Sequence, residues 1–171
     1  MALFVINEWL WHDSSGENGK DKQRQAFELI RGLGKSEHQI IVTEGSPFDQ
    51  KYWALWKSSD TIVNGLMKVF HFNIRLNPDR CLLLKPATAH VLPDELTSSI
   101  KPDDHYLVRA QLSVPESVVV TTDTPLRRVV LNAGLLAFLG KNSVAGILGY
   151  DWERFTATWK RDSDERARRV P

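Results

Sequence analysis

Short, uninterrupted apolar runs alternate along the chain with longer stretches in which apolar residues recur every three or four positions. The short runs carry no helical period and are rich in Val, Ile and Leu, which is typical of strands buried on both faces of a parallel sheet. Four such runs predict strands: Leu3–Ile6, Gln39–Thr43, Cys81–Leu84 and Ser117–Thr122. Their alternation with helices predicts an α/β fold with a mostly parallel sheet of four to five strands.

The stretches between these runs predict the helices. Helical spacing, capping residues and prolines indicate helices over 26–33, from Ser46-Pro47, from Asp60, over 92–96, from Pro102 and over 126–137. Gly32 and Gly34 should end the first of them, Thr124 should cap the last, and Gly140 should end it. His12 to Gly19 has the composition of a loop. Val144–Leu148 is a candidate fifth, edge strand, and 152–159 a last short helix. The chain then divides into one domain, 1–160, and a charged, mobile tail, 161–171.

Acidic and amide side chains follow the predicted strands at the points where the strands end. Asn7 and Glu8 follow the first strand, Glu44 follows the second, and Asp123 follows the fourth. Since the carboxyl ends of parallel strands share one rim, these side chains should lie together. Asp104 joins them from the first turn of the helix that begins at Pro102.

Carboxylates gathered in this way repel one another unless a cation lies among them. Mg²⁺ and Mn²⁺ prefer such oxygen ligands, and a carboxylate-bound divalent ion suits the hydrolysis of phosphate esters. The sequence contains no Gly-rich phosphate loop, no His and Cys spacing for zinc and no nucleophile elbow. The simpler interpretation of Asp103 and Asp104 is a pair of acids that stabilises a helix N-terminus. Asp49 is an alternative to Glu44, because it lies one helical turn further along.

The composition indicates a globular protein, and its balanced charge does not indicate a particular binding partner. The 171 residues are 42% hydrophobic, which suits one globular domain, and 22 Lys and Arg nearly balance 21 Asp and Glu. The single cysteine, Cys81, excludes an intrachain disulfide, and no apolar run is long enough for a membrane span or a signal sequence. We therefore expect a cytoplasmic protein that does not bind membranes.

The block DDHYLVRAQLSVPESVVVTTDTPL, which contains Asp104, Thr121 and Asp123, resembles the C-terminal half of a PIN domain. This family includes metal-dependent ribonucleases and the toxins of toxin–antitoxin pairs. The resemblance implies a three-layer α/β/α fold and a Mg²⁺- or Mn²⁺-dependent endoribonuclease. It gives Glu44, Asp104 and Asp123 the second, third and fourth acidic places of the family's site, and makes Thr121 the hydroxyl residue that supports the last aspartate. Asp103 is a further supporting residue.

The first acidic place of that site is the departure from the family pattern. This chain has Asn7 there, whose amide offers a metal a neutral oxygen but no charge. Either Glu8 or Asp13 substitutes for the missing carboxylate, or metal binding is weakened. An amide that only ties strand one to neighbouring turns is an equally good interpretation of Asn7.

Two functional hypotheses follow. The first is a metal-dependent ribonuclease, with DNA as an alternative substrate. The second is a catalytically impaired PIN-like module that binds RNA or a protein partner. Arg127 and Arg128 open the helix after Asp123, where they oppose the helix dipole, and both are candidate contacts for a nucleic-acid backbone. A protein inhibitor or a homo-oligomer would be the partner by family resemblance alone.

Overall fold

The computed structural model of the chain describes residues 1–135 and 137–139, which form an α/β fold of three layers. Five parallel strands lie in the order β3-β2-β1-β4-β5. Their bounds are Leu3–Ile6 (β1), Gln39–Thr43 (β2), Cys81–Leu84 (β3), Val118–Thr121 (β4) and Ala137–Leu139 (β5). The predicted three-layer fold and parallel sheet are confirmed. Because every strand is parallel, all carboxyl ends lie on one rim, as the strand pattern predicts.

Alternate residues of the three central strands, β1, β2 and β4, pack into two separate cores, one on each face of the sheet. On the first face, Phe4 and Ile6 of β1 join a core that includes Trp11 and Tyr52. On the second face, Val5 of β1 joins Ile41, Val119, Leu107 and Val130. Burial on both sides explains why these strands appear in the sequence as continuous apolar runs.

Six helices of the described residues follow the order that the sequence pattern predicts, with several different bounds, and the short first helix is one that the pattern does not predict. The helices are α1 (Trp9–Ser14), α2 (Lys20–Lys35), α3 (Pro47–Trp56), α4 (Thr61–Phe70), α5 (Asp94–Ser99), α6 (His105–Ser113) and α7 (Thr124–Asn132). A π-helical turn, His71–Arg75, extends α4, and a 3₁₀ turn, Pro102–Asp104, precedes α6. The loop predicted over 12–19 begins later than expected, because α1 continues through Ser14.

Gly32 and Gly34 do not end α2, contrary to the prediction. The helix continues to Lys35, and the amide of Ser36 donates to the carbonyl oxygens of Gly32 and Leu33. Leu29, Ile30 and Leu33 are buried along this helix, so tertiary packing outweighs the cost of two glycines in its last turns.

The helix predicted over 126–137 is wrong at its C-terminal end. Helix α7 ends at Asn132, Gly134 follows with φ 75°, and the chain then forms β5 beside β4. A positive φ reverses the chain at little cost only at glycine, so the helix ends eight residues before the expected Gly140. The candidate strand 144–148, the candidate helix 152–159 and the tail 161–171 lie outside the described residues.

None of the helices formed by the described residues combines the length and the apolar character needed to cross a lipid bilayer.

Candidate functional site

Asp104 and Asp123, which are 19 positions apart in the sequence, line the same cleft at the carboxyl rim of the sheet. The cleft has a volume of about 80 Å³. Its walls come from the 3₁₀ turn before α6 and from the first turns of α7, and they include Ile100, Lys101 and Val129. The structure therefore brings together the two aspartates on which the sequence hypothesis depends.

Asp104 is held in a partly desolvated position that disfavours its charge. It ends the 3₁₀ turn, and only 9% of the residue is exposed, whereas its neighbour Asp103 is exposed. Burial raises the pKa of Asp104 above 3.8, and the Asp123 carboxylate raises it further, while Lys101 opposes the shift. The charge of Asp104 is therefore disfavoured both by burial and by the second carboxylate in the cleft.

Asp123 is the N-cap of α7, which corrects the expectation that Thr124 fills this position. Its Oδ1 accepts the backbone N–H of Leu126 at 2.9 Å. One carboxylate oxygen is thus engaged by the helix, which fixes the side chain at the cleft. Thr121, fully buried at the end of β4, accepts the backbone N–H of Asp123 at 3.0 Å. Its hydroxyl therefore positions the aspartate, the role that the PIN-like resemblance implies for it.

Asn7 links Asp104 to Thr121, the residue that holds Asp123, through its amide group. Its Nδ2 lies 3.3 Å from Thr121 Oγ1 and 3.4 Å from Asp104 Oδ1, while its Oδ1 accepts from the backbone N–H of Glu8. In this orientation Asn7 donates toward the acidic cluster. A role as metal ligand requires the amide to rotate by half a turn, so that its oxygen faces Asp104 instead.

Glu8 supplies a third carboxylate next to Asp104. Burial raises the pKa of Glu8, and Asp104 and Asp103 raise it further, although His12 and Lys51 act in the opposite direction. The pKa of the buried Tyr106 phenol is likewise raised by burial and then by Glu8 and Asp104. Both carboxylates therefore act on this phenol, so Glu8 and Asp104 share one electrostatic environment.

Asp13, the other candidate substitute, lies elsewhere. It is near the end of α1, where its Oδ1 accepts from the side-chain amide of Asn18 at 2.6 Å. Of the two acids considered for the vacant place, Glu8 is the one on which Asp104 is seen to act electrostatically.

Glu44 follows β2 on the same rim, next to β1 in the sheet. Its backbone N–H donates to Leu84, and among the described residues its carboxylate forms no hydrogen bond or ion pair. Residues 1–135 and 137–139 contain no group of three His, Cys, Asp or Glu side chains placed to hold one metal ion. The structure therefore brings Asp104 and Asp123 together without showing Glu44 as a third member of the group.

Asp49 has a structural role that separates it from the site. Its Oδ1 forms an ion pair with Arg75 at 2.7 Å, with side-chain exposures of 7% and 9%, and its Oδ2 accepts the N–H of Gly45 at 2.9 Å. The Arg75 guanidinium also lies over the rings of Tyr52 and Trp53, at 4.9 Å and 5.1 Å from their centroids. The alternative in which Asp49 reaches the cleft has no support in this geometry.

The Asp49→Ala variant should lose roughly 3 kcal/mol of its free energy of unfolding, because Arg75 would be left buried without a counter-charge. Urea denaturation followed by tryptophan fluorescence measures the loss. Asp21→Ala is the matched control, since Asp21 forms an exposed ion pair with Arg24 at 3.8 Å and such pairs contribute little. Equal stability of the two variants would contradict the structural role of Asp49.

The two arginines proposed as nucleic-acid contacts lie in the first turn of α7. Arg127 is half-buried and Arg128 is exposed. The basic residue that acts on Asp104 is instead Lys101, an exposed residue that lines the cleft. Sequence reasoning missed it. The only signal was its position directly before Pro102, next to the acidic helix start.

Comparisons of the chain with protein-family models, with curated proteins and with solved structures found no match.

Proposed function

We propose that the protein is a PIN-like, Mg²⁺- or Mn²⁺-dependent endoribonuclease that hydrolyses RNA phosphodiester bonds at the cleft between Asp104 and Asp123. The observation that carries the proposal is the convergence of these two carboxylates, one desolvated and the other fixed by a helix cap. Repulsion between them is relieved when a cation lies between them.

The residues of the cleft fit a divalent metal of the magnesium type. Mg²⁺ is commonly held by one or two protein carboxylates together with waters and substrate phosphates, so a third carboxylate in the same group is unnecessary. Asp104 and Asp123 would hold the ion, and Glu8 or Glu44 would add negative charge at the rim. When bound, a divalent ion supplies an activated water and neutralises charge on the attacked phosphate.

The side chains of the chain itself have distinct tasks in this proposal. Thr121 and the N-terminus of α7 fix Asp123, so its carboxylate needs no reorganisation before substrate arrives. Asn7 donates a hydrogen bond to Asp104 and so helps to orient its carboxylate. Lys101, Arg127 and Arg128 would attract the phosphate backbone, because a chain with almost no net charge depends on local basic groups to bind nucleic acid.

An RNA cleavage assay tests the proposal. The wild-type protein, incubated with Mn²⁺, should cleave end-labelled RNA to defined products, and EDTA should stop the reaction. Single-stranded RNA, structured RNA and DNA of the same sequence should be compared. If no RNA is cleaved in Mn²⁺ or Mg²⁺, the enzymatic function fails.

The second candidate function is a PIN-like module that binds RNA or a protein partner without cleaving. The observation that favours it is the orientation of Asn7, whose amide donates to Asp104 where a carboxylate would add charge. Binding of RNA by a protein that does not cleave it in either metal would support this alternative. A protein inhibitor and a homo-oligomer are partners for either function, and the single, buried Cys81 agrees with a reducing, cytoplasmic location.

A further inference from the structure

The cleft contains more than its two carboxylates, and its other walls differ sharply in chemistry. Leu126 and Val129 of α7 form an apolar wall. Lys101 lies on the other segment that lines the cleft, next to Ile100, where it is exposed and interacts with Asp104. A simple metal site requires neither an apolar wall nor a lysine beside its carboxylates.

The size of the cleft limits what can occupy it. Pockets that enclose a free small molecule usually have volumes of about 300–1,000 Å³, whereas this cleft has about 80 Å³. A metabolite would remain largely outside it. A polymer can insert part of one unit and continue its contacts over the surrounding surface, so the volume favours a polymeric substrate.

We propose that this cleft is a subsite for the nucleotide next to the scissile phosphate of RNA, with its sugar and base edge against Leu126 and Val129 and its phosphate on Lys101. The inference rests on the proposed function, because it takes RNA as the substrate. According to this proposal, Leu126, Val129 and Lys101, which are not part of the acidic cluster, provide the specificity for a polynucleotide.

Charge and polarity in the cleft match this occupant. A nucleotide is apolar on the faces of its base and sugar and anionic at its phosphate. The apolar wall and the lysine line the same cleft as Asp104 and Asp123. A phosphate held by the Lys101 ammonium would therefore lie beside the carboxylates, while the attached nucleoside lies against the apolar wall.

Two variants test the subsite by different physical routes. Val129→Phe fills the cleft with a larger side chain at a half-buried position, and an unfolding curve of the variant checks that the core it packs against is retained. Lys101→Gln removes one exposed charge. Asn132→Phe, an exposed position on the same helix, is the control for bulk, and Lys57→Gln is the control for charge.

Steady-state cleavage of a labelled single-stranded RNA and fluorescence anisotropy of the same RNA are the two readouts. Val129→Phe should raise KM and the Kd for RNA about tenfold or more, with a much smaller change in kcat. Lys101→Gln should weaken binding several-fold and reduce the slope of log affinity against log salt concentration by about one. Both control variants should match the wild type.

The outcomes separate this inference from the proposed hydrolysis. Wild-type cleavage with a KM that is the same in Val129→Phe and Asn132→Phe would overturn the subsite while hydrolysis stands. RNA binding that is weakened by Val129→Phe and Lys101→Gln, without cleavage by the wild type, would support the subsite while hydrolysis fails. A Kd unchanged in both variants overturns the subsite in either case.

Discussion

Asp123→Asn should reduce RNA cleavage at least about 100-fold while the protein remains folded. The variant loses the charge that would face a metal ion, and loss of a metal-site group typically costs activity on this scale. The amide oxygen of asparagine can still accept the N–H of Leu126, as the carboxylate does at 2.9 Å, and Asn caps a helix about as well as Asp. Cleavage rates with saturating Mn²⁺ and unfolding curves of the same preparations measure both effects.

A matched substitution separates the loss of site charge from the loss of a cap. Asp60 caps α4 and accepts from the backbone N–H groups of Ile62 and Val63. Asp60→Asn makes the same chemical change at a helix N-terminus away from the cleft, so it should leave cleavage at the wild-type rate. If Asp123→Asn and Asp60→Asn were equally active, the carboxylate of Asp123 would have no part in the reaction.

Asn7→Asp should tighten Mn²⁺ binding by at least about tenfold, since it adds a charge beside Asp104. Without metal the same change should cost roughly 2 kcal/mol of unfolding free energy, because the N–H groups that face Thr121 and Asp104 are replaced by a carboxylate that repels Asp104. Thermal unfolding with EDTA and with Mn²⁺ measures both parts, because binding to the folded state raises the Tm.

The nuclease hypothesis and the impaired-module hypothesis predict different results for Asn7→Asp. If the wild type is an active nuclease, Asn7→Asp should cleave RNA at lower Mn²⁺ concentrations. If the wild type is an impaired module, cleavage should appear only in Asn7→Asp. Unchanged Mn²⁺ affinity would show that position 7 lies outside the metal site.

The sheet and its rim could be predicted because buried parallel strands leave a clear pattern in the sequence. Val118–Thr121 is apolar on both faces, and the structure buries all four of its residues between two helical layers. Asp123 follows that strand two residues later, so parallel geometry alone places it at the rim. Asp104 could be placed beside it because Pro102 marks where the chain turns into a helix.

The features that sequence reasoning missed depend on contacts between distant segments. Thr124 and Asp123 are both suitable caps for α7, and the choice between them depends on Thr121, which accepts the N–H of Asp123. The orientation of Asn7 depends on Asp104, 97 positions away. Lys101 lines the cleft only because the segment before α6 lies next to α7. None of these contacts produces a periodic signal along the chain.

Calorimetric titration with Mn²⁺ examines whether Asp104 and Asp123 hold a cation between them, independently of any substrate. The wild type should bind Mn²⁺ at one site, and Asp104→Asn should weaken that binding about tenfold or more. Asp94→Asn, an exposed acid in the first turn of α5, is the control and should bind as the wild type does. Wild-type protein that binds no Mn²⁺, or Asp104→Asn protein that binds it as tightly as the wild type, would contradict a metal site in this cleft.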